Sequence, residues 1–103
     1  MRIEDTLAAL ADPTRREILA QLRAGPRSVR EIADGLPVSR PAVSQHLRTL
    51  REAGLADVEA RGTRRLYSLR PEGLAALRSW LENFWDAALT DLQQAAEDGE
   101  DPR

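Results

Sequence analysis

Between positions 40 and 49 the chain carries Arg40, Pro41, Ser44, Gln45, Arg48 and Thr49, recurring at steps of three and four residues. These side chains suit the edges of DNA bases. Arg bonds guanine bidentately, Gln bonds adenine, Ser serves either, and an apolar group can touch the thymine methyl. A second group, Arg61, Arg64 and Arg65, puts three arginines within five residues around Gly62. Guanidinium groups so placed suit phosphates or a narrow minor groove.

Catalytic and metal chemistry have much less to stand on. The chain has no cysteine and a single histidine, His46. Thiolate chemistry and a multi-histidine metal site within one chain are thereby excluded. No nucleophile–base pair and no Gly-rich phosphate loop is present, so no enzyme is expected. No metal or cofactor is expected either. Glu82 and Asp86 form an i, i+4 carboxylate pair, which on an exposed helix face is ordinarily just solvated. His46 falls at the edge of an apolar helical stripe, where a structural role outweighs a pH switch or a base contact.

The elements that must position the arginines can be read from their ends. Ile3, Leu7 and Leu10 repeat at helical spacing and mark a short first helix. Asp12-Pro13 starts a second, with Asp as N-cap and Pro in the first turn, and Gly25-Pro26 closes it. Ser28 and Glu31 have the spacing of a capping box for a third helix, whose apolar face is Val29, Ile32, Ala33 and Leu36. Ser39 caps a fourth, in which Val43, Leu47 and Leu50 form the inward stripe and Gly54 the stop. Arg40, Pro41, Ser44, Gln45, Arg48 and Thr49 fall on the opposite face.

From Ala56 the period becomes two, and a turn at Arg61-Gly62-Thr63 joins two alternating runs into a β-hairpin. The helical period returns at Pro71 and lasts to about Ala96. A mainly α chain follows, in the order helix, helix, helix, helix, strand, strand, helix. A basic helix after a very short turn, with a basic hairpin beside it, is a winged helix-turn-helix.

The last helix carries Leu74, Leu77, Leu81, Phe84, Ala88 and Leu92, broadened by Trp80, Trp85 and Leu89. That is more apolar surface than so small a domain can cover, so a partner helix is expected. Ile3, Leu7 and Leu10 are its expected companions in a homodimer formed by the first and last helices. Trp80, Phe84 and Trp85 are read as interface first; lining a pocket for an organic effector is the alternative.

The net charge of −2 conceals a segregation. Residues 14–70 carry +6, whereas residues 71–103 carry −6. A basic middle is the footprint of a nucleic-acid surface. The 103 residues suit one domain, 1–96, followed by an acidic disordered tail, 97–103. No apolar run is long enough to span a membrane, no secretory signal is present, and the cytoplasm is expected. All fifteen basic residues are Arg, which reads as GC-rich, bacterial coding.

Three stretches carry a family resemblance: Asp12-Pro13-Thr14-Arg15-Arg16-Glu17-Ile18-Leu19, the run from Ala42 to Leu55, and Arg61-Gly62-Thr63-Arg64-Arg65-Leu66-Tyr67-Ser68-Leu69. Together they resemble the ArsR family of bacterial transcription regulators, from about Asp5 to Ala95. The resemblance implies a homodimer on a palindromic operator of double-stranded DNA, usually repressing. It also locates departures. Where thiolate-sensing members carry Cys-x-Cys, this chain has Ser28 and Arg30, and its last helix lacks the histidines of zinc-binding members. A branch without metal sites is implied, and any effector is left unnamed. The competing expectation is a winged helix that has lost DNA binding and docks proteins, against which the retained arginine face argues.

Overall fold

The computed structural model describes residues 2–99. Its elements are α1 (Ile3–Leu10), α2 (Pro13–Leu22), α3 (Val29–Asp34), α4 (Arg40–Glu52), β1 (Ala56–Arg61), β2 (Arg64–Leu69) and α5 (Pro71–Glu97). The order is the one expected, and so are the caps. Asp12 Oδ1 accepts the backbone N–H of Thr14 at 2.8 Å and of Arg15 at 3.2 Å. Ser28 and Glu31 close a reciprocal box, with Glu31 N donating to Ser28 Oγ at 3.2 Å and Ser28 N to Glu31 Oε1 at 3.0 Å. Ser39 Oγ accepts from Ala42 N at 3.3 Å. Each cap satisfies amide groups that the first helical turn leaves without partners. Leu36 departs from expectation: α3 stops at Asp34, and Leu36 packs against the core from the turn beyond it.

The core is built around α4. Val43, Leu47 and Leu50 are fully buried, together with Ile18 of α2, Ile32 of α3 and Leu55. Burial of each such side chain is worth about 1.5–3 kcal/mol. Thr6 is the buried polar residue of this core, and its hydroxyl donates to Ala53 O at 3.3 Å. That bond ties α1 to the end of α4. Gly54 follows at φ 79°, the left-handed conformation that ends a helix. The first turn of α5 then lies directly on it, since a Cβ at Gly73 would overlap the carbonyl oxygen of Gly54.

The corner between α1 and α2 is held by two arginines. Arg15 Nε donates to Ala9 O at 2.6 Å and Arg15 Nη2 to Ala8 O at 3.4 Å. Arg16 Nη1 donates to Leu10 O at 2.7 Å. Cations thus meet the last carbonyls of α1, where both the free acceptors and the helix dipole favour positive charge. Arg15 also lies 3.8 Å from Asp12 Oδ2 and 3.4 Å from His46 Nδ1. His46 is half-buried there, in the structural position expected of it.

The hairpin pairs antiparallel from Ala56↔Leu69 to Arg61↔Arg64, with Gly62 at φ 62° in its turn. The backbones of Arg27 and Tyr67 exchange two hydrogen bonds, 2.9 and 2.8 Å, which pin the wing to the loop before α3. Helix α5 has 27 residues and so runs about 40 Å. The molecule as a whole measures 64 × 26 × 22 Å. Of the tail expected at 97–103, Glu97 is helical and Asp98 caps the helix. Residues 100–103 lie outside the described residues.

Arg15→Ala removes charge-assisted bonds from a largely buried guanidinium and is expected to lower the unfolding free energy by about 1.5–3 kcal/mol. Urea denaturation measures this, and an unchanged midpoint contradicts it. Acid should also destabilise the fold. Asp12 titrates below its ordinary 3.8, chiefly because the Arg15 amide donates to it. Glu31 titrates below its ordinary 4.5, chiefly through the Ser28 amide and then the Ser28 hydroxyl. Both shifts favour the ionised form in the folded state. Their stabilisation is present above the ordinary values and is lost as pH falls through the lowered ones. The melting temperature should fall in that acid range, and less steeply for Asp12→Asn, which keeps an N-cap acceptor that does not titrate. Equal acid slopes for the two proteins contradict the role given to Asp12.

Candidate nucleic-acid interface

Burial of Val43, Leu47 and Leu50 fixes the rotation of α4 about its axis. Arg40, Pro41, Ser44, Gln45 and Arg48 are left exposed on the far side. Strand β1 packs against α4, and its partner β2 brings Arg65 and Tyr67, neighbours on one face of the strand by their alternation, toward that surface. An open groove of about 440 Å³ results, lined by Pro41, Ser44, Gln45, Arg48, Arg51, Arg65 and Tyr67. Its polar chemistry is hydroxyl, amide and guanidinium. Among the described residues, Arg48, Arg51 and Arg65 have no carboxylate within ion-pair distance. The groove is therefore a cationic surface set with groups that bond base edges and phosphates.

The structure sorts the expected site residues. Pro41, Ser44, Gln45, Arg48 and Arg65 come together in the groove. Arg40 is exposed in the first turn of α4. Thr49 stands apart: it is half-buried, its hydroxyl donates to Gln45 O at 3.3 Å, and it lines a separate concavity with Asp5, Ala8 and Arg15. Its position eight residues after Pro41 has carried it round the helix toward α1.

The wing arginines are not three equivalent free cations. Arg61 lies 3.7 Å from Glu59, and Arg64 Nη2 donates to Glu31 Oε1 at 2.6 Å. Two groove residues were missing from the sequence-based expectation, Arg51 and Tyr67. Signals for both were present: Arg51 is three residues after Arg48 on the helix, and Tyr67 is two after Arg65 on the strand.

The expected interface residues also divide. Leu10 and Leu74 pack against the core of their own chain. Ile3, Leu77 and Ala88 are half-buried. Leu7, Leu81, Phe84, Trp85 and Leu92 are exposed, the last four by 48, 56, 62 and 60%. Trp80 and Phe84 stack at 5.6 Å between ring centroids, and both are exposed on the single chain. Among the described residues, no three His, Cys, Asp or Glu side chains converge as metal ligands. Ser28 is engaged as a helix cap, and Glu82 accepts from Arg78 Nε at 2.9 Å. Among the described residues, no helix is long and apolar enough to cross a membrane.

Known proteins share this arrangement. A family model described as bacterial regulatory protein, arsR family, matches residues 12–58. The HTH-type transcriptional regulator Rv2034 of Mycobacterium tuberculosis is 57% identical over 86 residues, spanning 84% of this chain and 80% of that protein. The transcriptional repressor SdpR of Bacillus subtilis is 32% identical over 90 residues, spanning 87% of this chain and all of that protein (100%). In three dimensions, the homodimeric winged helix-turn-helix DNA-binding domain Mb0332 of Mycobacterium bovis superposes with a TM-score of 0.68 at 30% identity. That match covers 82% of this chain and 78% of the other. The chain belongs to the ArsR family of bacterial transcriptional regulators, DNA-binding winged helix-turn-helix proteins rather than enzymes.

Proposed function

We propose that this regulator is a homodimeric repressor, working in the cytoplasm, that seats one α4–wing groove in the major groove at each half of a palindromic operator. The groove carries the proposal: a row of Ser44, Gln45 and Arg48 beside Arg51 and Arg65, with no acid among the residues that line it. Gln45 and Arg48 are assigned to base edges, for adenine and guanine respectively, and Ser44 to either. Pro41 offers apolar contact to a thymine methyl. Arg40, at the helix start, and the wing arginines Arg61, Arg64 and Arg65 are assigned to the backbone.

Repression is supported by the name of the SdpR relative, and dimerisation by the homodimeric Mb0332 domain. This chain supplies its own reason to dimerise. Leu81, Phe84, Trp85 and Leu92 form an apolar strip along α5 that its own domain does not cover, with Leu7 exposed on α1. Two strips facing each other would bury it and set the two grooves at a fixed separation.

Two measurements test this. Gln45→Ala should relax discrimination at one operator position per half-site, by about 1–3 kcal/mol. Arg65→Ala should weaken operator and scrambled DNA alike and make the salt slope shallower by about one unit for each phosphate no longer neutralised. Fluorescence anisotropy across a salt series separates the two, and the reverse pattern would make the wing the reader. For the dimer, Leu81→Asp should give a monomer with unchanged helical circular dichroism, because Leu81 is already half-exposed in one chain. A monomeric wild type in light scattering at micromolar concentration rules the dimer out.

A further inference from the structure

The wing contains an ion pair that DNA binding alone does not require. Arg64 and Glu31 are 33 residues apart in sequence, yet Arg64 Nη2 donates to Glu31 Oε1 at 2.6 Å. The same carboxylate oxygen accepts the Ser28 amide at 3.0 Å. Glu31 is therefore not free to swing away. Its position is fixed by the capping box, and the box holds it where Arg64 reaches it. Both side chains remain about half-exposed, 58% for Arg64 and 45% for Glu31, so a phosphate can approach the same guanidinium.

A carboxylate and a phosphate oxygen present the same acceptor chemistry to an arginine. We infer that Glu31 is an intramolecular stand-in for a DNA phosphate, which holds Arg64 in the free protein and must be displaced when the wing closes on DNA. Glu31 thus lowers the affinity for any duplex. It also keeps the wing short of one free cation until the recognition helix has brought a phosphate within reach. Arg65, which has no such partner among the described residues, is available from the start. This inference rests on the assignment of the wing to the DNA backbone.

The test is Glu31→Gln. Glutamine can also fill this position of a capping box, so α3 keeps its start while the charge is removed. The probe is a duplex of arbitrary sequence, with binding read by anisotropy at several salt concentrations. Exposed ion pairs of this kind correspond to roughly 1.4- to 5-fold each, so a dimer releasing two should bind roughly two- to thirty-fold tighter. Two controls isolate the cause. Glu82→Gln removes the same charge from α5 and should change affinity much less. In an Arg64→Ala background, Glu31→Gln should give no more than the Glu82→Gln effect.

The inference is overturned if Glu31→Gln binds no tighter, or if its gain survives in the Arg64→Ala background. A readout without any change at position 31 is the Arg64 guanidinium resonance of the wild type. It should move when the duplex is added; a resonance that stays put means that Glu31 keeps Arg64 throughout binding, which also overturns the inference. Wild type that fails to bind the duplex at low salt would instead contradict the DNA assignment of the wing itself.

Discussion

Everything that faces outward on this molecule depends on how α4 is gripped from behind. Val43, Leu47 and Leu50 are sealed against Ile18, Ile32 and Leu55. A helix with three buried anchors on one stripe cannot rotate without exposing them, at about 1.5–3 kcal/mol for each. Ser44, Gln45 and Arg48 therefore point into the groove because their neighbours are committed to the core. The ends of α4 are held as firmly. Ser39 caps its start, and its exit at Gly54 is packed under the first turn of α5, where only a glycine at position 73 leaves room.

Packing also decides which charges are free. The basic middle of the chain carries a net +6, but that total is a poor guide to the cations available to DNA. Arg15 and Arg16 are used inside the fold, on the carbonyls that end α1. Arg61 and Arg64 are held by nearby glutamates. Arg48, Arg51 and Arg65 remain in the groove. Among the described residues, the cations without an ion-pair partner are a subset selected by the fold.

What the sequence made legible was local. Caps at Asp12, Ser28 and Ser39, the stop at Gly54 and the change of period at Ala56 all depend on residues a few positions apart, and the elements follow from them. The apolar strip of α5 was equally plain, because helical periodicity announces a buried face before its partner is known. What stayed hidden depends on residues brought together by the fold. Nothing near Arg15 in sequence points to the carbonyls of Ala8 and Ala9. Glu31 and Arg64 meet only after the hairpin has folded back over α3. Gly73 gives no local sign of its contact with Gly54. Thr49 was grouped with Arg48 because both are polar on a helical wheel, yet a rotation of about 100° per residue is enough to turn it toward α1.

The central claim is that two such grooves, fixed by paired α5 helices, meet one face of a duplex together. Hydroxyl-radical footprinting on the DNA upstream of the regulator's own gene tests this most directly. Two protected patches centred about 10 base pairs apart, or a multiple of that helical repeat, and related by two-fold symmetry are expected. A single patch, or protection spread evenly without helical phase, would contradict it.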